Sequence, residues 1–215
     1  MALMAGAQEQ APAQSSPSST SAKHAKKPAA KPADSDLDPG SVNDSTYRNR
    51  SLGLTCKIPD GWVLRSEEMN AQDPGLPSDL SAGNAASSAG AKVLLAAFSR
   101  PPAAKGEDVN SSILIAAESV AAYPGLKDAV QYFGPLTEVA KAQGFTADED
   151  PYQIAIGTKP LVRADFHKDV GSRVMWQSTL AMLARGYAVS ITLIGGTEDE
   201  VDELMDGLSF GANGK

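Results

Sequence analysis

The segment Ser172–Phe210 constrains the fold of this chain more than any other. Arg173–Leu183 and Tyr187–Ile194 read as two β-strands joined by a tight Ala184-Arg-Gly186 turn. In the second strand Tyr187, Val189, Ile191 and Leu193 share one face by alternation, and Ser190 and Thr192 lie on the other. Gly195-Gly196 ends that strand. Thr197-Glu-Asp-Glu200 reads as a capping box: the threonine hydroxyl accepts from the amide three residues on, and Glu200 reaches back to the cap. Acids in a first helical turn also suit the positive end of the helix dipole. Val201, Leu204, Met205 and Leu208 then supply an apolar stripe at helical spacing. A hairpin that runs straight into an amphipathic helix has to bury a sheet face and a helix stripe together, which points to an α+β domain.

Upstream residues extend the pattern. Leu52, Leu54, Cys56 and Ile58 alternate onto one face of a strand pair over roughly Tyr47–Ile58. Pro59-Asp-Gly61 turns the chain, and Trp62-Val-Leu64 opens the next strand. Lys92–Ser99 and Ser112–Ser119 are near-continuous apolar runs, as in strands covered on both faces. Leu126, Ala129, Val130 and Phe133 follow helical spacing. Gly134-Pro135 interrupts, and Leu136, Val139 and Ala140 resume the stripe, which predicts one kinked helix or two short ones, with Pro135 in the first turn of the second. Tyr152–Ile156 and Leu161–Lys168 complete the strands. The sum is a largely antiparallel β-sheet of about six to eight strands flanked by helices, with a C-terminal amphipathic helix.

The amino-terminal part differs in kind. Residues 8–44 are rich in Ala, Pro, Ser, Gln, Lys and Asp and hold no aromatic residue, so they read as a disordered tether ahead of a domain over 45–211. Residues 70–91, rich in Ala, Ser, Gly, Asp and Pro, read as a long disordered loop. Ala5-Gly6-Ala7 fits the small-x-small pattern before a signal-peptidase cut, and residues 1–7 are read as the remnant of a secretory signal, with an exported, periplasmic or extracellular protein expected. A plain alanine-rich start is the other reading. No run approaches the roughly 20 apolar residues that span a bilayer. The net charge of −7 falls mostly on the domain, because residues 1–44 carry four Lys against five acids. Such a surface has no electrostatic reason to hold a phosphate backbone, which disfavours nucleic acid as a partner. With a single cysteine there is no internal disulfide, and Cys56 on an apolar strand face reads as a small hydrophobe rather than a nucleophile.

Tyr47-x-Asn49-x-x-Leu52-Gly53-Leu54-x-x-x-Ile58-Pro59-x-Gly61-Trp62, taken with the Gly186-Tyr187…Leu193 strand and its closing helix, resembles the PsbP-like superfamily over residues 45–211. Members include an extrinsic photosystem II subunit, a Ran-binding nuclear import factor and exported bacterial proteins of unknown role. The resemblance implies an antiparallel sheet flanked by helices, used as a non-enzymatic binding or assembly module. The photosystem and Ran roles do not carry over, because their interface residues have no match here.

Candidate chemistry concentrates on Arg163-Ala-Asp165-Phe-His167-Lys-Asp169. Alternation places Arg163, Asp165, His167 and Asp169 on one face and Val162, Ala164 and Phe166 on the other. A turn over Asp169–Gly171 would pair Gln177 and Thr179 onto that polar face and put Val174 and Trp176 behind it. Arg163, Asp165, His167, Gln177 and Thr179 therefore form the candidate binding surface; a plain solvated face is the alternative. One ordered histidine with scattered carboxylates supplies no zinc set, and neither Asp148-Glu-Asp150 nor Glu198-Asp-Glu200 has calcium-loop spacing, so no metal or cofactor is expected. No G-x-S-x-G elbow, phosphate loop or H-E-x-x-H occurs. The acids after Gly195-Gly196-Thr197 argue against an anion at that helix start. Trp62, Trp176, Tyr187 and Phe210 are expected in the core. The leading expectation is a non-enzymatic, exported accessory protein that binds a protein partner or small ligand and can act as a monomer. A small-molecule or lipid carrier, with a pocket between the sheet and residues 126–143, is a second reading. A hydrolase using His167 is a third.

Overall fold

The computed structural model describes residues 37–71, 91–101, 104, 106 and 108–211. The signal remnant, most of the tether and most of the 70–91 loop lie outside them. In chain order the elements are β1 (Ser41–Asn43), β2 (Thr46–Asn49), β3 (Leu54–Lys57), β4 (Val63–Leu64), α1 (Ser66–Ala71), β5 (Lys92–Phe98) and β6 (Ser112–Ser119). A 3-10 turn over Val120–Ala122 leads to α2 (Ala129–Ala142), β7 (Thr146–Ala147), β8 (Tyr152–Ile156), β9 (Lys159–Val170), β10 (Arg173–Ala184), β11 (Tyr187–Gly195), α3 (Glu198–Asp206) and β12 (Leu208–Phe210).

The strands form two antiparallel sheets, and the fold is α+β as expected. One sheet has four strands in the order β1-β2-β3-β12; the other has eight, ordered β4-β5-β6-β11-β10-β9-β7 with β8 also paired to β9. One face of the large sheet packs on the small sheet and α3. Leu95, Ile115, Leu180 and Ile191 meet Tyr47, Leu54, Cys56, Leu204 and Leu208 in a single buried cluster. Each such side chain contributes about 1.5–3 kcal/mol by leaving water. α2 covers part of the opposite face, where Tyr132, Phe133, Leu136 and Ala140 pack on Val162, Ala164 and Phe166. Met69 of α1 packs beside Ala96 and Leu114.

The structure departs from the sequence expectations in four places. The ordered chain begins ahead of Ser45: Leu37 is buried at 3% exposure, and β1 pairs with β2. α1 takes up Asn70 and Ala71, and the Asn70 amide closes two hydrogen bonds with the Val93 backbone. α2 takes the single-helix alternative, with Pro135 inside it rather than in the first turn of a second helix. Pro135 and Gly134 both face solvent, so the proline ring and its missing N–H fall where water serves the backbone. The buried face of α2 includes Tyr132, while Val130 is 43% exposed. Finally, α3 ends at Asp206, and Leu208 sits in β12 opposite Cys56 rather than in the helical stripe.

Candidate functional site

The β9–β10 turn decides which side chains meet. Val170 pairs with Arg173 across a two-residue loop, and Gly171 at φ +64° supplies the left-handed conformation that loop requires. A turn over Asp169–Gly171 would pair Lys168 with Ser172; the observed register, with Lys168 opposite Met175, differs by three residues, and any odd shift exchanges the two faces of a strand. Asp165 therefore stands opposite Ser178, and His167 opposite Trp176, while Gln177 pairs with Phe166 and Thr179 with Ala164. Gln177 and Thr179 are accordingly on the other face, buried at 3% and 2%, where the Gln177 amide donates to Thr179 Oγ1. Of the candidate residues, Arg163, Asp165 and His167 share a face with Trp176 and Ser178, while Gln177 and Thr179 do not, although Gln177 also borders the recess described below.

Asp165 is the hub. Its carboxylate accepts from Arg163 Nε at 2.8 Å, from Tyr152 OH at 2.8 Å and from Ser178 Oγ. Arg163 also reaches α3, donating to Asp202 at 3.2 Å and contacting Met205 Sδ at 3.6 Å. Burial works to lower the pKa of Arg163, but the hydrogen bond and charge of Asp165 outweigh it and hold the guanidinium above its ordinary value. Burial, then the bond to Asp165 and its negative charge, push the Tyr152 phenol up to about 12. His167 belongs to a separate pair: its Nδ1 lies 2.5 Å from Asp148 Oδ1, and its ring lies 5.8 Å from that of Trp176.

α3 forms the far wall. Thr197 caps it, accepting from the Glu200 amide at 3.1 Å. Glu200 completes the box one residue early, accepting from the Gly196 amide and also from Ser111 Oγ, just ahead of β6. That bond ties the helix start to the large sheet. Between β9, β10 and α3 lies a recess of about 340 Å³, lined by Asp148, Asp165, Trp176, Glu198 and Asp202 among others. Tyr152, Ser178 and the α3 acids were not part of the sequence-derived set. A Gly171-Ser172 two-residue loop, which a glycine in that first position favours, is the signal that would have found Ser178.

Among the described residues, no group of three or more His, Cys, Asp or Glu is placed to hold a metal ion. No helix among them is long and apolar enough to cross a membrane. Cys56 is fully buried, and burial pushes its thiol up to about 12, so the thiolate is suppressed at neutral pH.

No protein-family model matches the chain, and no curated protein matches it. Solved structures with a similar architecture include LpqN of Mycobacterium tuberculosis, described as involved in cell envelope biogenesis, at 16% identity and a TM-score of 0.39, covering 81% of this chain and 87% of that one. They also include the cyanobacterial PsbP of Synechocystis, at 12% identity and a TM-score of 0.45, covering 80% of this chain and 96% of that one. The PsbP-like superfamily that the Pro-x-Gly-Trp segment resembles is thus represented among the structural neighbours. Both are likenesses of architecture, and architecture does not carry function.

Proposed function

We propose that the protein is a non-enzymatic binding or accessory protein whose contact site is the recess between β9, β10 and α3. The observation that carries this reading is a concave site with an aromatic wall, framed by side chains already held in place. Tyr152, Ser178 and Arg163 all converge on Asp165. A carboxylate supplied with that many donors is a poor base, and a serine committed to it is a poor nucleophile. Such a network instead fixes the shape of a binding surface.

The other readings draw less support. Ser178 bonds Asp165 while His167 pairs with Asp148, so serine and histidine sit in separate pairs rather than in a relay. The carrier reading needs space between the sheet and α2, and Tyr132, Phe133 and Leu136 fill that interface. Export is part of the proposal on the strength of Ala5-Gly6-Ala7 alone.

Cross-linking in native envelope extract tests the reading, with the full chain as bait and a Glu198→Lys/Asp202→Lys variant as control. Both positions are on the exposed rim of α3. A partner captured by the native chain and lost with the variant supports the contact site. Equal capture by both baits removes the recess from the account.

A further inference from the structure

We propose that the recess receives an organic cation, an alkylammonium or alkylguanidinium group, whether carried by a small molecule or by a lysine or arginine side chain of a partner. This rests on the recess being the contact site and names the chemistry of what enters it.

Charge sets the sign of the occupant. Asp148, Asp165, Glu198 and Asp202 line the recess against one guanidinium, that of Arg163, with His167 bonded to Asp148 at its edge, so carboxylates stay in excess. That guanidinium is engaged by Asp165 through Nε, by Asp202 through Nη2 and by Met205 sulfur through Nη1. Those bonds hold it against the wall of the recess. The neighbouring recess, about 740 Å³ and sharing Trp176, differs: Arg100 and Arg173 stand there beside Asp108 and Glu200, and the charges balance. Of these two recesses, the smaller one carries the excess of negative charge.

The aromatic wall sets the chemical class. Trp176 lines the recess and is only partly buried, so indole surface remains to be covered. Indole faces attract cations through the ring quadrupole, and Trp is the strongest of the aromatic side chains in this role. The carboxylates are spread around the cavity rather than focused: among the described residues no three of them converge as metal ligands do. Distributed carboxylates with an indole wall fit a cation whose charge is spread over an ammonium or guanidinium head and whose alkyl stem needs apolar cover. A cavity of about 340 Å³ holds such a head with a short stem.

The test is a titration of the isotope-labelled full chain, followed by NMR at the Trp176 indole N–H and the α3 amides. Butylammonium and butylguanidinium are the probes, and butyrate is the anionic control of similar size. Saturable shifts with the cations and none with butyrate are expected. Glu198→Gln, a change at an exposed position, should weaken cation binding about threefold or more, and added salt should weaken it further. Trp176→Leu should weaken it about tenfold. Capped N-acetyl-arginine methylamide against agmatine separates the sources: tighter binding of the former marks a polypeptide side chain, and of the latter a free small amine. Butyrate binding as well as the cations, the absence of saturable shifts, or an affinity indifferent to Glu198→Gln and Trp176→Leu overturns the proposal. If the cations fail while Glu198→Lys/Asp202→Lys still loses a cross-linked partner, the cation inference falls and the contact site stands.

Discussion

Ser178 stands directly opposite Asp165 in the β9–β10 ladder and gives its hydroxyl to that carboxylate. With Tyr152 and Arg163 bonded to the same group, one side chain fastens β8, β9 and β10 and, through Arg163, α3.

Asp165→Ala should therefore cost about 2 kcal/mol or more, because three donors lose a partly buried acceptor together. Chemical denaturation measures it. Ser178→Ala removes one donor and leaves the acceptor supplied, so its cost should be the smaller of the two. An Asp165→Ala protein as stable as the native one would show that the network is incidental.

The start of α3 supplies a second expectation. Thr197→Ala should cost about 1 kcal/mol, the usual price of a lost cap. Glu200→Ala should cost about 1–2 kcal/mol, since it frees the Gly196 amide and the Ser111 hydroxyl together. Glu198→Ala, an exposed neighbour, should stay within about 0.5 kcal/mol. Thermal melts resolve these differences, at about 2–4 °C per kcal/mol for a domain of this size.

The β10–β11 hairpin turns on Arg185 and Gly186, at φ +53° and +81°. Ala at position 186 meets no atom within 4 Å, so any loss is conformational and not steric. Gly186→Ala should lower stability by about 1 kcal/mol without altering the hairpin's cross-strand contacts, readable by denaturation alongside NMR.

Stability should fall in alkali. Burial raises Cys56 from 9.0 to about 12, and it raises Tyr47 from 10.0 to about 12 against a hydrogen bond from Asn49 that pulls the other way. Tyr152 moves in the same direction. The unfolded chain gives up these protons first, so the folded state binds more protons from about pH 9 upward and its advantage shrinks until about 12. Below that window these groups exert no pull. Melting temperature measured across it should decline, and Cys56→Ala should delay the onset. A flat profile would contradict the burial of both groups.

Long elements were legible in the sequence because they repeat a pattern. The apolar runs of β5 and β6, the alternation in β11 and the capped start of α3 with Val201 and Leu204 buried appear where periodicity placed them. β1, β7 and β12 span two or three residues each and exist through pairing with distant strands, so no local period announces them. The site was half legible for a related reason. Arg163, Asp165 and His167 share a face by alternation within one strand, whereas Gln177 and Thr179 depended on where the turn falls, and an odd shift in register moved them to the other face. Glu198 and Asp202 join the site only because α3 lies over that face, a tertiary fact with no local signature.

β12 closes the small sheet by pairing Leu208 with Cys56 and Phe210 with Leu54, so that sheet draws its fourth strand from more than 140 residues downstream of its third. During synthesis the β1–β3 meander emerges early and has to wait, its apolar face and one edge uncovered, until nearly all of the large sheet has been made. Assembly of this half of the molecule is thereby a late event, and the interval before it is when the young chain is most open to aggregation or to a chaperone.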